Sequence, residues 1–213
     1  MTTKFSYIGS DDKIPAQSFK NNKGLFDLDD IYSLDLDNKW TNYGQLEFIQ
    51  KITVSSASTV DITNLGSDYQ VHLITMNNMH TNDNKDLNFR VFVNGDIQTG
   101  STDYSRSFRN MYQDGNQYED KDSDLDRLRL NSEIGGNSPE GFNALIYMYN
   151  ALFDGRTFIT QQQAILDKNA YFGSYYGAGA YDGTNVLSGI RFYMSSDNIN
   201  SGSISVYGIR SYS

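Results

Sequence analysis

The chain has 213 residues, of which 38% are hydrophobic, and it contains no cysteine, which excludes disulfides, thiolate metal sites and a cysteine nucleophile. A chain of this length can bury one full hydrophobic core, so we expect one main domain. The formal net charge of -9 at pH 7 disfavours nucleic acid and anionic membrane surfaces as partners, because both require clustered Lys and Arg.

The first 24 residues are polar and predict an extended arm. They lack the apolar segment of a signal peptide. No stretch of the chain approaches the ~18 consecutive apolar residues that span a bilayer. We therefore expect the protein to be made and folded in a cytoplasm.

Residues 25–40 predict one short helix. Leu28, Ile31 and Tyr32 recur at helical spacing, and Asp27 stands where an N-cap residue would. We expect the arm and the helix together, residues 1–44, to form a docking element. Its expected contact residues are apolar or aromatic: Leu25, Phe26, Ile31, Tyr32 and Trp40.

From residue 45 onward, the apolar pattern is that of β-strands. The first three predicted strands cover 45–54, 59–64 and 68–79. Residues 55–58 are small and mostly polar, which predicts a hairpin between the first two strands. The clearest alternation in the chain, 87–93, is followed by Asn94-Gly95, a strong hairpin signal.

The stretch from 95 to 140 is the least regular. A strand is predicted near 104–111, and an acidic loop near 112–140 is expected to be an insertion at one end of the domain. The strand pattern returns in four runs, at 142–150, 156–165, 186–195 and 203–210. With 16 Tyr and 12 Phe, the pattern predicts an all-β fold: an antiparallel, jelly-roll-like β-sandwich over residues 45–213.

The acidic loop raises the question of a metal site. Asp120, Asp122 and Asp124 alternate and could supply oxygen ligands for Ca²⁺. An EF-hand loop, however, requires glycine at its sixth position, where this loop has Leu125. Mutually repelling carboxylates usually remain solvated, so we expect neither metal nor cofactor. A glycosidase pair among the 26 acidic residues is an alternative that the sequence cannot assign to particular positions.

His72 and His80 are the only two histidines. Without cysteine, a His/Cys metal site is disfavoured, and a Ser-His-Asp triad would have to use one of these two residues. No nucleophile elbow accompanies them. We therefore expect ordinary strand or surface histidines and no enzymatic activity.

Residues 171–181 are rich in Gly and Tyr, and they predict a loop that carries rigid aromatic rings on a mobile backbone. Tyr175, Tyr176 and Tyr181 are expected to contact other subunits or to stack on sugar rings. The alternative is an ordinary loop with its tyrosines half packed on the domain.

Two segments of the chain match patterns known from other proteins. The first is Gly24-Leu-Phe-Asp-Leu-Asp-Asp-Ile-Tyr-Ser-Leu, followed by Asn38-Lys-Trp40. It resembles a segment near the start of small structural proteins of tailed phages, especially marine ones. The second segment is Val186-Leu-Ser-Gly-Ile-Arg-Phe-Tyr-Met-Ser-Ser-Asp-Asn-Ile-Asn-Ser-Gly-Ser-Ile-Ser-Val-Tyr-Gly-Ile-Arg210. It closely resembles their carboxy-terminal hairpin, with Asp197 in place of the usual turn glycine.

In that hairpin, one face of the first strand is expected to pair with the second strand across the ladder. The first strand contributes Ile190, Phe192 and Met194, and the second contributes Ile204 and Val206.

The resemblance implies a virion component that is associated with the capsid or the tail. Within that class we expect a capsid decoration or cement protein or a head-attached appendage, synthesised in the host cytoplasm. Its expected partners are other virion proteins, such as the major capsid protein or tail proteins, and further copies of the chain, with no nucleic acid and no membrane. The alternatives are a tail fibre or spike module that binds host-surface glycan, and a glycan-degrading enzyme.

Overall fold

The computed structural model describes residues 46–67, 69–82, 84–137 and 139–209. Within these ranges the chain forms β-strands and no helix, so the described part has no helix that could cross a membrane. The predicted helix at 25–40 lies outside the described residues. The same holds for the predicted docking side chains Leu25, Phe26, Ile31, Tyr32 and Trp40.

Thirteen strands follow one another along the described chain. They are β1 (Leu46–Ala57), β2 (Thr59–Ile62), β3 (Val71–Thr81), β4 (Leu87–Val93), β5 (Asp96–Ile97), β6 (Tyr104–Tyr112), β7 (Gln117–Leu125), β8 (Leu128–Arg129), β9 (Gly141–Tyr149), β10 (Thr157–Leu166), β11 (Phe172–Tyr181), β12 (Gly189–Met194) and β13 (Ile199–Ile209).

The strands form two antiparallel sheets, which confirms the all-β prediction. The large sheet has eight strands in the order β1-β13-β3-β9-β10-β11-β6-β7. The small sheet has five strands in the order β2-β12-β4-β5, with β8 paired to β4. The predicted Asn94-Gly95 hairpin is confirmed as the β4–β5 turn, where both residues have positive φ.

One hydrophobic cluster receives side chains from both sheets. Phe89 and Phe192 of the small sheet pack with their ring centroids 5.4 Å apart. They belong to the same buried cluster as Ile74, Ile146 and Ile204 of the large sheet. Because strand side chains alternate between two faces, this burial leaves the opposite face of β9, β10 and β11 exposed.

The chain passes from one sheet to the other within nearly continuous extended segments. β1 continues into β2, and the pair Ala57↔Ile199 in the large sheet is followed by Thr59↔Tyr193 in the small sheet. β1 and β2 are therefore not a hairpin, and the prediction made from residues 55–58 is wrong. Small polar residues at this position bend the strand between sheets instead of reversing it, with Ser56 at φ 47°.

The predicted carboxy-terminal hairpin is wrong for the same reason. β12 pairs with β2 and β4, whereas β13 pairs with β1 and β3. Phe192 and Ile204 therefore do not pair across a ladder but lie in different sheets, both buried in the same cluster. The sequence pattern correctly predicted which side chains of these two strands face the core. It was wrong only about which strands pair with them through hydrogen bonds.

The Gly/Tyr-rich run is strand β11 and not a loop. Its glycines provide room for neighbouring chain, because a Cβ on Gly177 would meet the carbonyl oxygen of Ser107 and lie 2.7 Å from the Cα of Phe108. A Cβ on Gly179 would lie 2.9 Å from a methyl group of Leu128. The glycines of this strand allow the neighbouring backbone and side chains to approach closely. The prediction was wrong because glycine is more often typical of loops.

The acidic stretch near 112–140 is likewise more ordered than predicted. It contains β7, an edge strand that forms a hairpin with β6, and β8 in the small sheet. All but two residues of β7 are exposed. An edge strand with one neighbour and no buried face has no apolar alternation, which explains why the pattern predicted a loop.

We expect Ile204→Ala to lower the free energy of unfolding by about 2–5 kcal/mol, because the side chain is fully buried on β13, which pairs with β1 on one side and β3 on the other. Val186→Ala, at an exposed position before β12, is the control and should stay within about 0.5 kcal/mol. Urea unfolding curves measure the unfolding free energy of both variants. Equal values for the two would contradict the burial of Ile204 in the core.

We expect Gly177→Ala to cost about 1–3 kcal/mol more unfolding free energy than Gly155→Ala. Both glycines have positive φ, at 150° and 133°, but a Cβ on Gly155 meets nothing within 4 Å. The pair therefore separates crowding from backbone strain. Thermal and urea denaturation of the two variants checks this, and equal losses would contradict the close approach of β11 and β6.

Candidate functional site

Two of the three tyrosines expected at the surface belong to the core. Tyr175 and Tyr181 are 4% and 5% exposed, whereas Tyr176 is 40% exposed. Tyr181 packs against Tyr104 with ring centroids 5.6 Å apart. Alternation along β11 accounts for the difference, since neighbours in a strand point to opposite faces. Of these three tyrosines, only Tyr176 presents its ring for contact with a ligand or subunit.

The hydroxyl of Tyr175 lies in a polar cluster on the inner face of the large sheet. It is 2.8 Å from the Tyr112 hydroxyl and 2.9 Å from that of Ser132, and it accepts a hydrogen bond from the Asn110 side-chain amide (3.0 Å). Burial, together with the hydrogen bond between the two hydroxyls, raises the pKa of Tyr112 above its ordinary value. Tyr112 therefore stays neutral, and the cluster serves packing.

A second buried polar group holds the segment after β8 against β10. The side-chain amides of Gln161 and Gln163 both donate to the carbonyl oxygen of Leu130, at 2.6 and 3.1 Å. Asn131 donates to Gln163 (2.7 Å) and accepts from the backbone N–H of Leu87 (3.0 Å). These amides therefore satisfy one another, and the cluster positions β10 rather than offering a binding site.

The acidic residues considered as calcium ligands lie along the β7 edge. Asp120 forms ion pairs with Arg106 (2.8 Å) and Arg129 (2.9 Å), while Asp122 and Asp124 are exposed. No group of three or more metal-ligating side chains occurs among the residues that the structure describes. Arginine neutralises the one carboxylate that is partly buried, so the calcium interpretation loses its central ligand.

Both histidines lie on β3 and bond to backbone carbonyls. The Nε2–H of His72 donates to Leu65 (2.7 Å), and the Nδ1–H of His80 donates to Glu140 (2.7 Å). Nδ1 of His72 is buried and has no hydrogen-bond partner among the described residues. Neither imidazole contacts a serine hydroxyl or a carboxylate in the described part of the chain, which leaves no triad there.

Burial lowers the pKa of His72 below its ordinary value of 6.5, against a smaller opposing effect of the bond to Leu65. The unfolded chain therefore binds a proton at His72 as the pH falls through about 6.5, while the folded chain resists it. The stability present above this pH is lost as the pH falls, by up to about 1.4 kcal/mol at about pH 5.5.

We expect the unfolding free energy of the wild type to fall more between about pH 7.5 and about pH 5.5 than that of His72→Gln, which cannot titrate at this position. His80→Gln is the matched control for the loss of an imidazole on the same strand. Urea titrations at both pH values measure this. Identical slopes for the wild type and His72→Gln would show that the imidazole titrates normally.

The outer face of the large sheet carries a shallow groove of about 520 Å³. Its floor and sides come from β3, β9, β10 and β11. Leu145, Gln162 and Tyr176 form one row across three strands, because Gln162 pairs with the other two. Asn143, Ala164 and Ser174 form the next row in the same way. The small side chain of Ala164 makes the floor low between its neighbours.

A β-bulge shapes one end of the groove. The β3–β9 register shifts between Met76 and Met79, and Asn78 takes a positive φ of 53°. The Asn143 side-chain oxygen accepts the backbone N–H of Asn78 (2.8 Å). The bulge thus fixes the Asn143 amide group, whose N–H groups have no partner among the described residues. Bulges often re-aim side chains next to binding sites.

The groove lining is uncharged. None of its eleven described residues is Asp, Glu, Lys or Arg. The side-chain amide of Gln162 makes no hydrogen bond to any residue in the described ranges, and Tyr176 and Leu145 are 40% and 44% exposed. Of the three side chains Gln162, Tyr176 and Leu145, sequence reasoning found only Tyr176. The alternating segment 141–149 carried a signal for the exposed face of β9, but only the strand register places Gln162 between Leu145 and Tyr176.

No protein-family model, curated protein or solved structure matches this chain.

Proposed function

We propose that the chain is a virion structural protein of a tailed bacteriophage, which decorates or cements the capsid or forms a head-attached appendage. Its partners would be other virion proteins and further copies of itself. The role is assembly and stabilisation without catalysis. The class of protein follows from the resemblance of 186–210 to small phage structural proteins, and the assembly role follows from the edges of the large sheet.

The resemblance involves the part of the chain that holds the described domain together. Residues 189–209 form β12 and β13, each of which lies between two other strands. A likeness in this segment concerns strands whose side chains belong to the buried cluster rather than a surface loop. We further propose that the two sheets form a jelly-roll-like sandwich, since long antiparallel segments pass from one sheet into the other.

The observation that carries the assembly role is the apolar edge at β1. Leu46 and Phe48 are 50% and 62% exposed on this strand, and Phe48 meets the ring of Tyr207 edge-on at 5.7 Å. On its other side, β1 has no partner strand among the described residues. An exposed apolar edge offers backbone hydrogen bonds and buried area to another chain.

The opposite edge of the same sheet has the reverse character. β7 carries Glu119, Asp120, Asp122 and Asp124 with a single lysine, Lys121. Charge on an edge strand discourages pairing with other chains. The large sheet is thus protected at β7 and open at β1. β1 also continues directly from residues 1–44, the segment that the sequence predicts to dock.

We expect Phe48→Ser to reduce the copies of the chain on assembled particles by about tenfold or more, because an exposed aromatic on an open edge is suited to be an interface anchor. Phe172→Ser is the matched control, a phenylalanine of similar exposure on β11, and it should keep wild-type occupancy. Both variants should melt within about 3 °C of the wild type, since neither ring is buried.

Quantitative mass spectrometry of purified particles, with the variant gene carried by the phage, measures the occupancy. Absence of the wild-type chain from particles would refute the structural role. Unchanged occupancy of Phe48→Ser would refute attachment through the β1 edge.

A further inference from the structure

We propose that the outer groove of β9, β10 and β11 binds a neutral oligosaccharide. Tyr176 would stack on a sugar ring, and the side-chain amides of Gln162 and Asn143 would bond to its hydroxyl groups. This inference goes beyond the proposed role in the particle, since it concerns a different face of the large sheet and requires no neighbouring subunit.

The row Leu145, Gln162 and Tyr176 has the arrangement that a sugar ring needs. The two larger side chains stand on the strands either side of β10, so their backbones are separated by about 10 Å. Gln162 lies between them with its amide free of any described partner. A ring placed beside Tyr176 would have an aromatic face on one side and an amide donor and acceptor beneath it.

The second row supplies further polar groups and depth. The two N–H groups of Asn143 are available, because only its oxygen is used by the Asn78 backbone. Ser174 adds a hydroxyl, and Ala164 between them leaves room for the ligand. Amides and hydroxyls both donate and accept hydrogen bonds, as sugar hydroxyls do. The volume of about 520 Å³ lies within the range of small-ligand sites.

The absence of charge in the described lining decides the class of ligand. In a chain with a net charge of -9, the described lining of the groove has no Arg or Lys for an anionic sugar or a phosphate. Arg109 of β6, which pairs with Tyr176, lies beside this lining, and its guanidinium donates to the Gln117 side chain. The described lining offers no carboxylate to a cation. A protein partner is also less well matched, because amide and hydroxyl groups separate the few exposed apolar side chains and leave no continuous apolar centre.

The experiment uses the full chain on an array of neutral oligosaccharides built from hexoses and N-acetylhexosamines, with sialylated and sulfated counterparts as the anionic arm. Titration calorimetry with the best neutral ligand follows. We expect Tyr176→Ala to weaken affinity about tenfold or more and Gln162→Ala about three- to tenfold. Tyr118→Ala replaces a tyrosine on the β7 edge that is 56% exposed, against 40% for Tyr176, and this variant should bind as the wild type does.

Affinity for the neutral ligand should be unchanged between about 0.05 and about 0.5 M NaCl, because no charge pair is involved. The proposal would be overturned if the chain bound no neutral oligosaccharide on the array. It would also be overturned if the chain bound the sialylated or sulfated sugars more tightly than the neutral ones. Equal affinity of Tyr176→Ala and the wild type would also overturn it.

Particle occupancy of Tyr176→Ala separates the two proposals. A variant that loses glycan binding while keeping wild-type occupancy supports the groove as a site independent of assembly. Loss of occupancy together with glycan binding would instead make the groove a subunit contact and overturn this inference.

Discussion

The antiparallel pairing of residues 46–62 with 189–209 is the constraint on which the rest of the described structure depends. It runs through both sheets, as β1 with β13 and as β2 with β12. The segment 71–93 extends it on the other side, as β3 with β13 and β4 with β12. Because each segment contributes to both sheets, neither sheet can change register without moving the other, and a shift of one residue would turn every core side chain outward.

The groove depends on this constraint through the strands that follow. β9 pairs with β3, and β10 and β11 extend the sheet from there. On the inner face, the amides of Gln161 and Gln163 are tied to Leu130. Since strand side chains alternate, burying these two residues turns Gln162 and Ala164 to the outer face. The polar cluster inside thus sets which residues the groove presents outside.

The two edges of the large sheet differ in charge and polarity. The β7 edge is acidic and its Asp120 is held by Arg106 and Arg129, whereas the β1 edge exposes apolar side chains. The groove between them is uncharged in its described lining. The β1 edge that we propose for assembly and the face of β9 to β11 that we propose for ligand binding are therefore different surfaces, so the two proposals are compatible in one chain.

The sequence by itself determined the strands with clear apolar alternation, the β4–β5 turn and most of the buried face, because alternation and Asn-Gly chemistry are local. It missed β7, β8 and β11, where acidic or glycine-rich composition predicted loops. It determined that Ile190, Phe192, Ile204 and Val206 face a core. Only the tertiary structure decided which strands pair, since a bend between sheets and a reversal into a hairpin use the same small polar residues. It also decided that Tyr176 is exposed while Tyr175 is buried, and that Gln162 joins it in a groove. These placements depend on register between strands far apart in sequence, which local patterns do not encode.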